Sequence, residues 1–445
     1  MSGNHIASLD RIHFHGLSNL ADLRLSGNQL TTIPSSAFIN LPNLELIFLA
    51  FNFIENLNEK TFDNLGKLQF LQLGANRIKR CNHKVFSTLR TLQILDLSVN
   101  QLSFVEDYCF KDMTSLYGVS LAKNQLKTIG SNSFYGLRNL VEINISSNPI
   151  HRIASQALND LHNLTILDLS SNGIGYIPPY AFNVSDPSHV NRLQLQNNFI
   201  SVLDRHAFDG LYSLQTFGLS RNSLSDAENT HNSWVLTSSR ILYVDLSNNA
   251  LNQMLYLVGI EHDQIKMLDL SNNRISEMTV SWFGGLPTFL RPLASLNLAN
   301  NYIDTLYNGT FAPATNLTIL TLSGNLIHSI SEFAFKDLTK LTELYLANNR
   351  LKNIERFLRN DFRCLNTLNF STSYLSIQFI SSEAMHNLPQ LQRLSINNNR
   401  LNNLTCKGFS KSIVEIDVSF NKMEARGINI YDQILSKLAA YPRVV

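Results

Sequence analysis

Hydrophobic positions along this chain fall in the frame LxxLxLxxN, and the asparagine that closes the frame returns every 24 residues at Asn4, Asn28, Asn52, Asn76, Asn100, Asn124, Asn148 and Asn172. With small slips the series continues through Asn198, Asn222, Asn249, Asn273, Asn301, Asn325, Asn349, Asn399 and Asn421, and Ser373 stands at the one missing rung. Between Leu20 and Leu44, the inward Leu23 and Leu25 alternate with the outward Asp22, Arg24 and Ser26, the period of two that a half-buried strand requires. Asn28 sits where the chain must bend inward, and its amide can both donate to and accept from backbone groups left unpaired there. Leu30, Ile33, Phe38 and Leu41 then fill the interior of the return arm. A phenylalanine recurs ten residues after the asparagine at Phe14, Phe62, Phe86, Phe110, Phe134, Phe182, Phe208, Phe283, Phe311, Phe335 and Phe409, predicting a stacked aromatic spine. A single turn cannot bury its own apolar side, so the fixed period predicts one solenoid where length alone would suggest about three domains. The expected fold is an α/β solenoid of about eighteen turns, with parallel strands on its concave face and mostly irregular convex arms. Residues 1–421 would form the solenoid and 422–445 a C-terminal tail or incomplete cap. The asparagines and phenylalanines of the frame are read as folding residues and not as site residues.

The longer frame LxxLxLxxNxLxxIxxxxFxxLxxL, seen in LQILDLSVNQLSFVEDYCFKDMTSL from Leu92, resembles the typical class of leucine-rich repeat found in the ectodomains of Toll-type receptors and chaoptin-like adhesion proteins. The resemblance covers residues 1–421 and implies a horseshoe whose concave face carries recognition; the same scaffold serves many partners. It departs from the family at both ends. The opening MSGN aligns with LSGN of Leu25 to Asn28, the cysteine-rich terminal caps are missing, and only KMEARGINIYDQILSKLAAYPRVV follows Asn421. The expectation is a segment of a longer protein; an intact chain with a polar final turn of its own is the alternative.

The net charge of +2 and the scattering of Lys and Arg among Asp and Glu give no electrostatic reason to expect nucleic acid or an acidic membrane as partner. No apolar run approaches the roughly 18 residues needed to span a bilayer, so membrane attachment is expected only through a segment outside this chain. Cys81 and Cys109 lie on the return arms of adjacent turns, where a disulfide is conceivable; Cys364 and Cys406 sit in unlike positions, and free buried thiols are the default for all four. No zinc-hydrolase, nucleophile-elbow, phosphate-loop or dinucleotide motif occurs, and the twelve histidines are spread over return arms and loops. Cys81 with His83 lacks the third group that would orient a nucleophile. No catalytic residue, metal ligand or cofactor is expected.

The third, fifth and seventh positions of LxxLxLxxN face outward from the strands. Leu46, Phe48, Phe70 and Ile94 occupy such positions on three consecutive strands, with Gln72 among them, and form an apolar patch of the kind that marks protein contacts. Its alternatives are lateral packing between strands and cover by a glycan or loop. Asp96, Asp168, Asp245, Asp269 and Asp417 recur at the fifth position; they read as a solvated surface in preference to a cation-binding stripe. Seven glycosylation sequons begin at Asn144, Asn163, Asn183, Asn308, Asn316, Asn369 and Asn403. Asn144 and Asn369 would point from the strand face, and none lies near Leu46 to Ile94. Three longer turns, around NVSDPSHVN, DAENTHNSW and FGGLPTFLRP, place their extra residues on return arms. The turn after Asn349 lacks its spine phenylalanine.

These readings converge on a non-catalytic protein-recognition ectodomain of a cell-surface receptor or adhesion protein, extracellular or at the cell surface. Its partner would be a protein ligand or a cell-surface protein, homodimerisation included. A secreted or matrix structural protein that self-assembles is the alternative.

Overall fold

A computed structural model describes the whole chain except residues 36, 155–156, 159–160, 183–188, 205, 226–239, 253–263, 279–290, 361, 373–376, 405–408 and 424–445. The chain divides into two compact units, residues 1–223 with 228–241 and residues 224–227 with 242–445. Among the described residues the first unit carries nine main strands, β1 (Asp22–Arg24), β2 (Leu46–Phe48), β3 (Phe70–Gln72), β4 (Ile94–Asp96), β5 (Gly118–Ser120), β6 (Glu142–Asn144), β7 (Ile166–Asp168), β8 (Arg192–Gln194) and β9 (Thr216–Gly218). The second carries eight: β10 (Tyr243–Asp245), β11 (Met267–Asp269), β12 (Ser295–Asn297), β13 (Ile319–Thr321), β14 (Glu343–Tyr345), β15 (Thr367–Asn369), β16 (Arg393–Ser395) and β17 (Glu415–Asp417). Within each unit neighbouring strands are parallel and in the register set by the asparagines, as in Asp22 opposite Leu46, Leu46 opposite Phe70 and Glu343 opposite Thr367. The central residue of each of the first sixteen strands is buried, while both flanking residues keep access to solvent. The turn around Asn4 has no strand before it, so seventeen of the eighteen turns counted from the sequence contribute one.

Each strand ends in a sharp bend whose geometry explains the asparagine. Asn124 donates from Nδ2 to the Leu121 carbonyl within its own turn (3.0 Å) and to the Leu97 carbonyl of the turn before (2.9 Å), and its Oδ1 accepts the Leu102 amide (3.0 Å). The same pattern recurs at Asn52, Asn76 and Asn100 in the first unit and at Asn301, Asn325 and Asn349 in the second. Asn4 makes the bond to its own turn, Nδ2 to the Met1 carbonyl, but is exposed. The missing rung at Ser373 lies outside the described residues, and Asn399 Oδ1 in the following turn is buried without a partner among those described.

The residue before each rung adopts left-handed backbone, from φ 53° at Arg221 to φ 72° at Gly324. Glycine or asparagine suits that conformation and holds it at Gly27, Gly324, Asn197, Asn248, Asn272, Asn300, Asn348 and Asn398; Phe51, Val99 and Phe420 occupy it too. The aspartates of the fifth strand position serve the same bend. Asp96, Asp168, Asp245, Asp269 and Asp417 each accept from the backbone amide two residues on, at 2.8 to 3.0 Å. The aspartates expected from the sequence to form a solvated surface keep access to solvent and also serve as local caps.

Phe38, Phe62, Phe86, Phe110 and Phe134 stack with centroid spacings of 6.2 to 6.5 Å, and Phe182 and Phe208 at 5.9 Å. In the second unit Phe311 stacks on Phe335; Phe357 and Phe362 then pack against Phe335 from off the ten-residue register, so the turn after Asn349 keeps an aromatic core. Phe409 is half-buried and Phe283 lies outside the described residues. The return arms are more regular than the sequence implied. Two-residue parallel pairs join Thr32–Ile33 to Asn56–Leu57, Thr128–Ile129 to Arg152–Ile153 and Thr305–Leu306 to Ser329–Ile330.

Cys81 and Cys109 form a disulfide, with Cα atoms 6.1 Å apart, where the sequence favours free thiols. Their side chains come from different points of adjacent turns, and the path of the return arm brings them together. Cys364 is a free and exposed thiol, and Cys406 lies outside the described residues. The long segments of the three slipped turns, 183–188, 226–239 and 279–290, also fall outside them.

Candidate functional site

The outward positions of β2, β3 and β4 meet as the frame requires. Leu46, Phe70 and Ile94 are direct register partners across three strands, and Phe48 stands opposite Arg24 on one side and Gln72 on the other. The Phe48 and Phe70 rings pack diagonally at 5.1 Å, tilted by 39°. Arg24 lies over the far face of this cluster, its guanidinium carbon 5.0 Å from the Phe48 centroid, and is held there by Asp22 at 2.9 Å. Leu46, Phe48, Phe70 and Gln72 are half-buried, whereas Ile94 is 41% exposed. Lateral packing thus hides part of each aromatic ring and leaves a continuous apolar surface. Beyond Ile94 the patch ends at Gly118, where an added Cβ would meet nothing within 4 Å. Gly74, at the seventh position of the β3 turn, leaves room for the Asp96 carboxylate, 2.8 Å from where its Cβ would stand.

A second exposed apolar group, absent from the sequence reading, lies on the bend that follows the same strands. Phe51 and Val99 occupy the left-handed position with 70% and 46% of their surface exposed, and Phe53, next after its asparagine, is 41% exposed beneath the guanidinium of Arg77 at 4.6 Å. Strand alternation does not reach these residues; the left-handed turn aims them outward.

The sequons separate by environment. Asn144 and Asn369 are on the strand face, half-buried, with Oδ1 accepting from Ser146 and Ser371. Asn163 and Asn316 belong to another recurring contact that precedes the strands: Asn43, Asn139, Asn163 and Asn316 each donate Nδ2 to a carbonyl of the preceding turn, at 2.6 to 3.1 Å. Thr91 makes the equivalent bond to Gly66, and the His189 ring meets the His162 carbonyl at 2.9 Å. Asn308 accepts from the Phe333 amide; Asn183 and the Asn403 side chain lie outside the described residues.

In the second unit the strand face is mixed: Met267, 48% exposed, and the half-buried Ile319 stand among Asp245, Asp269, Ser295 and Asn297. Tyr345 donates to Glu343 at 2.7 Å, and burial together with this bond pushes its pKa up to about 12. Burial alone would raise the Asp417 pKa, but hydrogen bonds from the Ser419 hydroxyl, Asn397 and the Ser419 amide outweigh it and hold the carboxyl below its usual value. Among the described residues no three His, Cys, Asp or Glu side chains gather to hold a metal, and no helix is long and apolar enough to cross a membrane.

The repeats match the leucine rich repeat profile in overlapping stretches over residues 1–126 and 263–401, and the BspA type leucine rich repeat region over residues 103–230. Osteomodulin of Rattus norvegicus is 31% identical over 121 residues, 27% of this chain and 26% of that protein. The fold is similar to Toll in the Toll–Spatzle complex of Drosophila, with a TM-score of 0.76 and 22% identity over 94% of this chain. This chain spans 53% of the Toll chain. It is also similar to TLR13 in the TLR13–ssRNA13 complex, with a TM-score of 0.62 and 19% identity over 97% of this chain and 82% of that one. At these identities the structural likenesses show a shared architecture, and the repeat profiles with the asparagine-ruled turns establish that the chain belongs to the leucine-rich repeat family.

Proposed function

We propose that this chain is the protein-recognition part of an extracellular receptor or adhesion protein of the typical, Toll-type or chaoptin-like class, without catalytic function, and that it takes a protein ligand on the strand face of β2 to β4. The observation that carries this reading is the contiguous patch of Leu46, Phe48, Phe70 and Ile94, rimmed by Asp22, Arg24, Gln72 and Asp96. An apolar centre with a polar rim is the anatomy of a protein contact. The cation of the rim, Arg24, is already paired with Asp22, which favours protein over nucleic acid as the occupant of this face. All seven sequons lie from Asn144 onward, so none falls on β2 to β4 itself, which supports this stretch as the contact. The Cys81–Cys109 disulfide supports an oxidising compartment outside the cytosol.

The test is selection of a binder from a displayed library of secreted and cell-surface proteins, followed by titration against wild type and a Phe48→Asp, Phe70→Asp double variant. Binding should be lost while the circular dichroism spectrum is unchanged; a binder with equal affinity for both proteins would remove the patch. Self-assembly, the alternative, would instead appear as a concentration-dependent mass in sedimentation of the chain alone, abolished by the same double variant.

A further inference from the structure

Resting on that reading, we infer that the recognition surface continues from the strand face around the bend that follows it, and that this edge takes a protein segment in which apolar side chains alternate with carboxylates. The bends of adjacent turns stack in register: the Phe51 amide donates to the Gly74 carbonyl, Ala75 to Ser98, Val99 to Ala122 and Lys123 to Ser146. One row along the edge is therefore Phe51, Ala75, Val99 and Lys123, and the row beside it runs from Phe53 to Arg77. Large exposed apolar groups meet exposed cations on this edge and continue the Leu46 to Ile94 patch.

Backbone strain supports the assignment. Phe51 and Val99 have φ of 57° and 55°, a region that is a genuine outlier for bulky and β-branched residues. Nine other turns of this chain place Gly or Asn at the same position. Folding alone would be served better by those residues, and neither Phe51 nor Val99 buries its side chain in return.

Charge identifies the occupant. Lys79 is paired with Glu55 at 3.0 Å, but Arg77, Lys123 and Lys127 form no ion pair among the described residues. Glu55 is the one acidic residue of this edge, and its pKa is lowered first by the hydrogen bond and charge of Lys79. An excess of cations over carboxylates around an apolar strip, with Lys123 and Lys127 in no ion pair among the described residues, complements carboxylates flanking an apolar group. A nucleic-acid strand fits less well, because stacking successive bases needs several open aromatic faces: Phe51 is open, but Arg77 already covers Phe53, and Ala75, Val99, Leu46 and Ile94 offer none.

The experiment is selection of random 12-residue peptides displayed on phage against the wild-type chain. Selected peptides should carry Asp or Glu beside Leu, Phe or Trp. They should bind about tenfold or more weakly to a Phe51→Asn, Val99→Asn variant and to an Arg77→Glu, Lys123→Glu variant, and weaken as salt is raised. Asparagine is already accommodated at this bend position elsewhere in the chain, so the first variant keeps the fold. Peptides without acidic enrichment, peptides that bind both edge variants normally, or no selection at all would overturn the inference. So would a 12-nucleotide oligouridylate that displaces the peptides at equal concentration. Peptides lost only on the Phe48→Asp, Phe70→Asp variant would overturn the edge and keep the strand-face reading. Peptides lost only on the edge variants would support the edge and remove the strand face.

Discussion

A buried asparagine that satisfies backbone groups in two turns at once is hard to replace. Asn124 holds the Leu102 amide and shares the Leu97 and Leu121 carbonyls with Asn100 and Asn148, so Asn124→Ala leaves the Leu102 amide without its partner, at about 1–3 kcal/mol, and takes one of two asparagine donors from each carbonyl. Urea denaturation should show a clear loss of stability; a midpoint equal to wild type would contradict the role of the rung. The left-handed residue beside a rung makes the opposite case. Val99→Asn should raise the midpoint, by about 1 kcal/mol, because it relieves a conformation that costs β-branched residues roughly that much. A second residue-scale expectation concerns Tyr345. Its folded pKa of about 12 lies above the ordinary value of 10.0, so its contribution to stability is complete below pH 10 and is lost as the pH rises through 12. The ultraviolet difference titration between wild type and Tyr345→Phe should show tyrosinate forming near pH 12; ionisation near pH 10 would contradict the burial of the ring and its bond to Glu343.

At the scale of one turn, the strand, the asparagine bend and the aromatic return arm were legible because each follows a fixed period. Inward Leu23 and Leu25, and outward Leu46, Phe48, Phe70, Gln72 and Ile94, fall where alternation places them, and the five patch residues are neighbours in space. The features that escaped do not repeat with one residue type. The contact before the strand uses Asn at 43, 139, 163 and 316 but Thr at 91 and His at 189, so no single letter marks it. Phe51 and Val99 escaped because the left-handed bend breaks strand alternation. The aspartate caps were visible as letters but not as bonds, since the bend that brings Oδ1 to the amide two residues on is a backbone property. The disulfide was open because Cys81 and Cys109 are 28 residues apart, out of step with a 24-residue turn. Closing a loop of that length stabilises by about 3–4 kcal/mol in the chain-entropy account. Cys81→Ser with Cys109→Ser should lose about that much on denaturation, and alkylation of the folded chain without reductant should label Cys364 while sparing both. Labelling of Cys81 would rule out the bond.

For the whole molecule, the scaffold explains why recognition is assigned to a place and not to a chemistry. Every turn presents the same backbone, and specificity resides in the few outward positions that depart from the common polar composition. In the first unit adjacent departures gather on β2 to β4 and the bends after them, with Ile166 and Phe199 apart from them; in the second unit Met267 and Ile319 stand among Asp245, Asp269, Asn297, Glu343 and Tyr345. None of the seven sequons falls on β2 to β4. The central claim is that a protein ligand sits on this cluster. A photocrosslinking amino acid placed at Gln72 in the patch, and separately at Thr321 on the strand face of the second unit, tests it with the partner recovered from the displayed library. The account predicts covalent capture of that partner from position 72 and none from position 321; capture from position 321 alone, or equally from both, would contradict it.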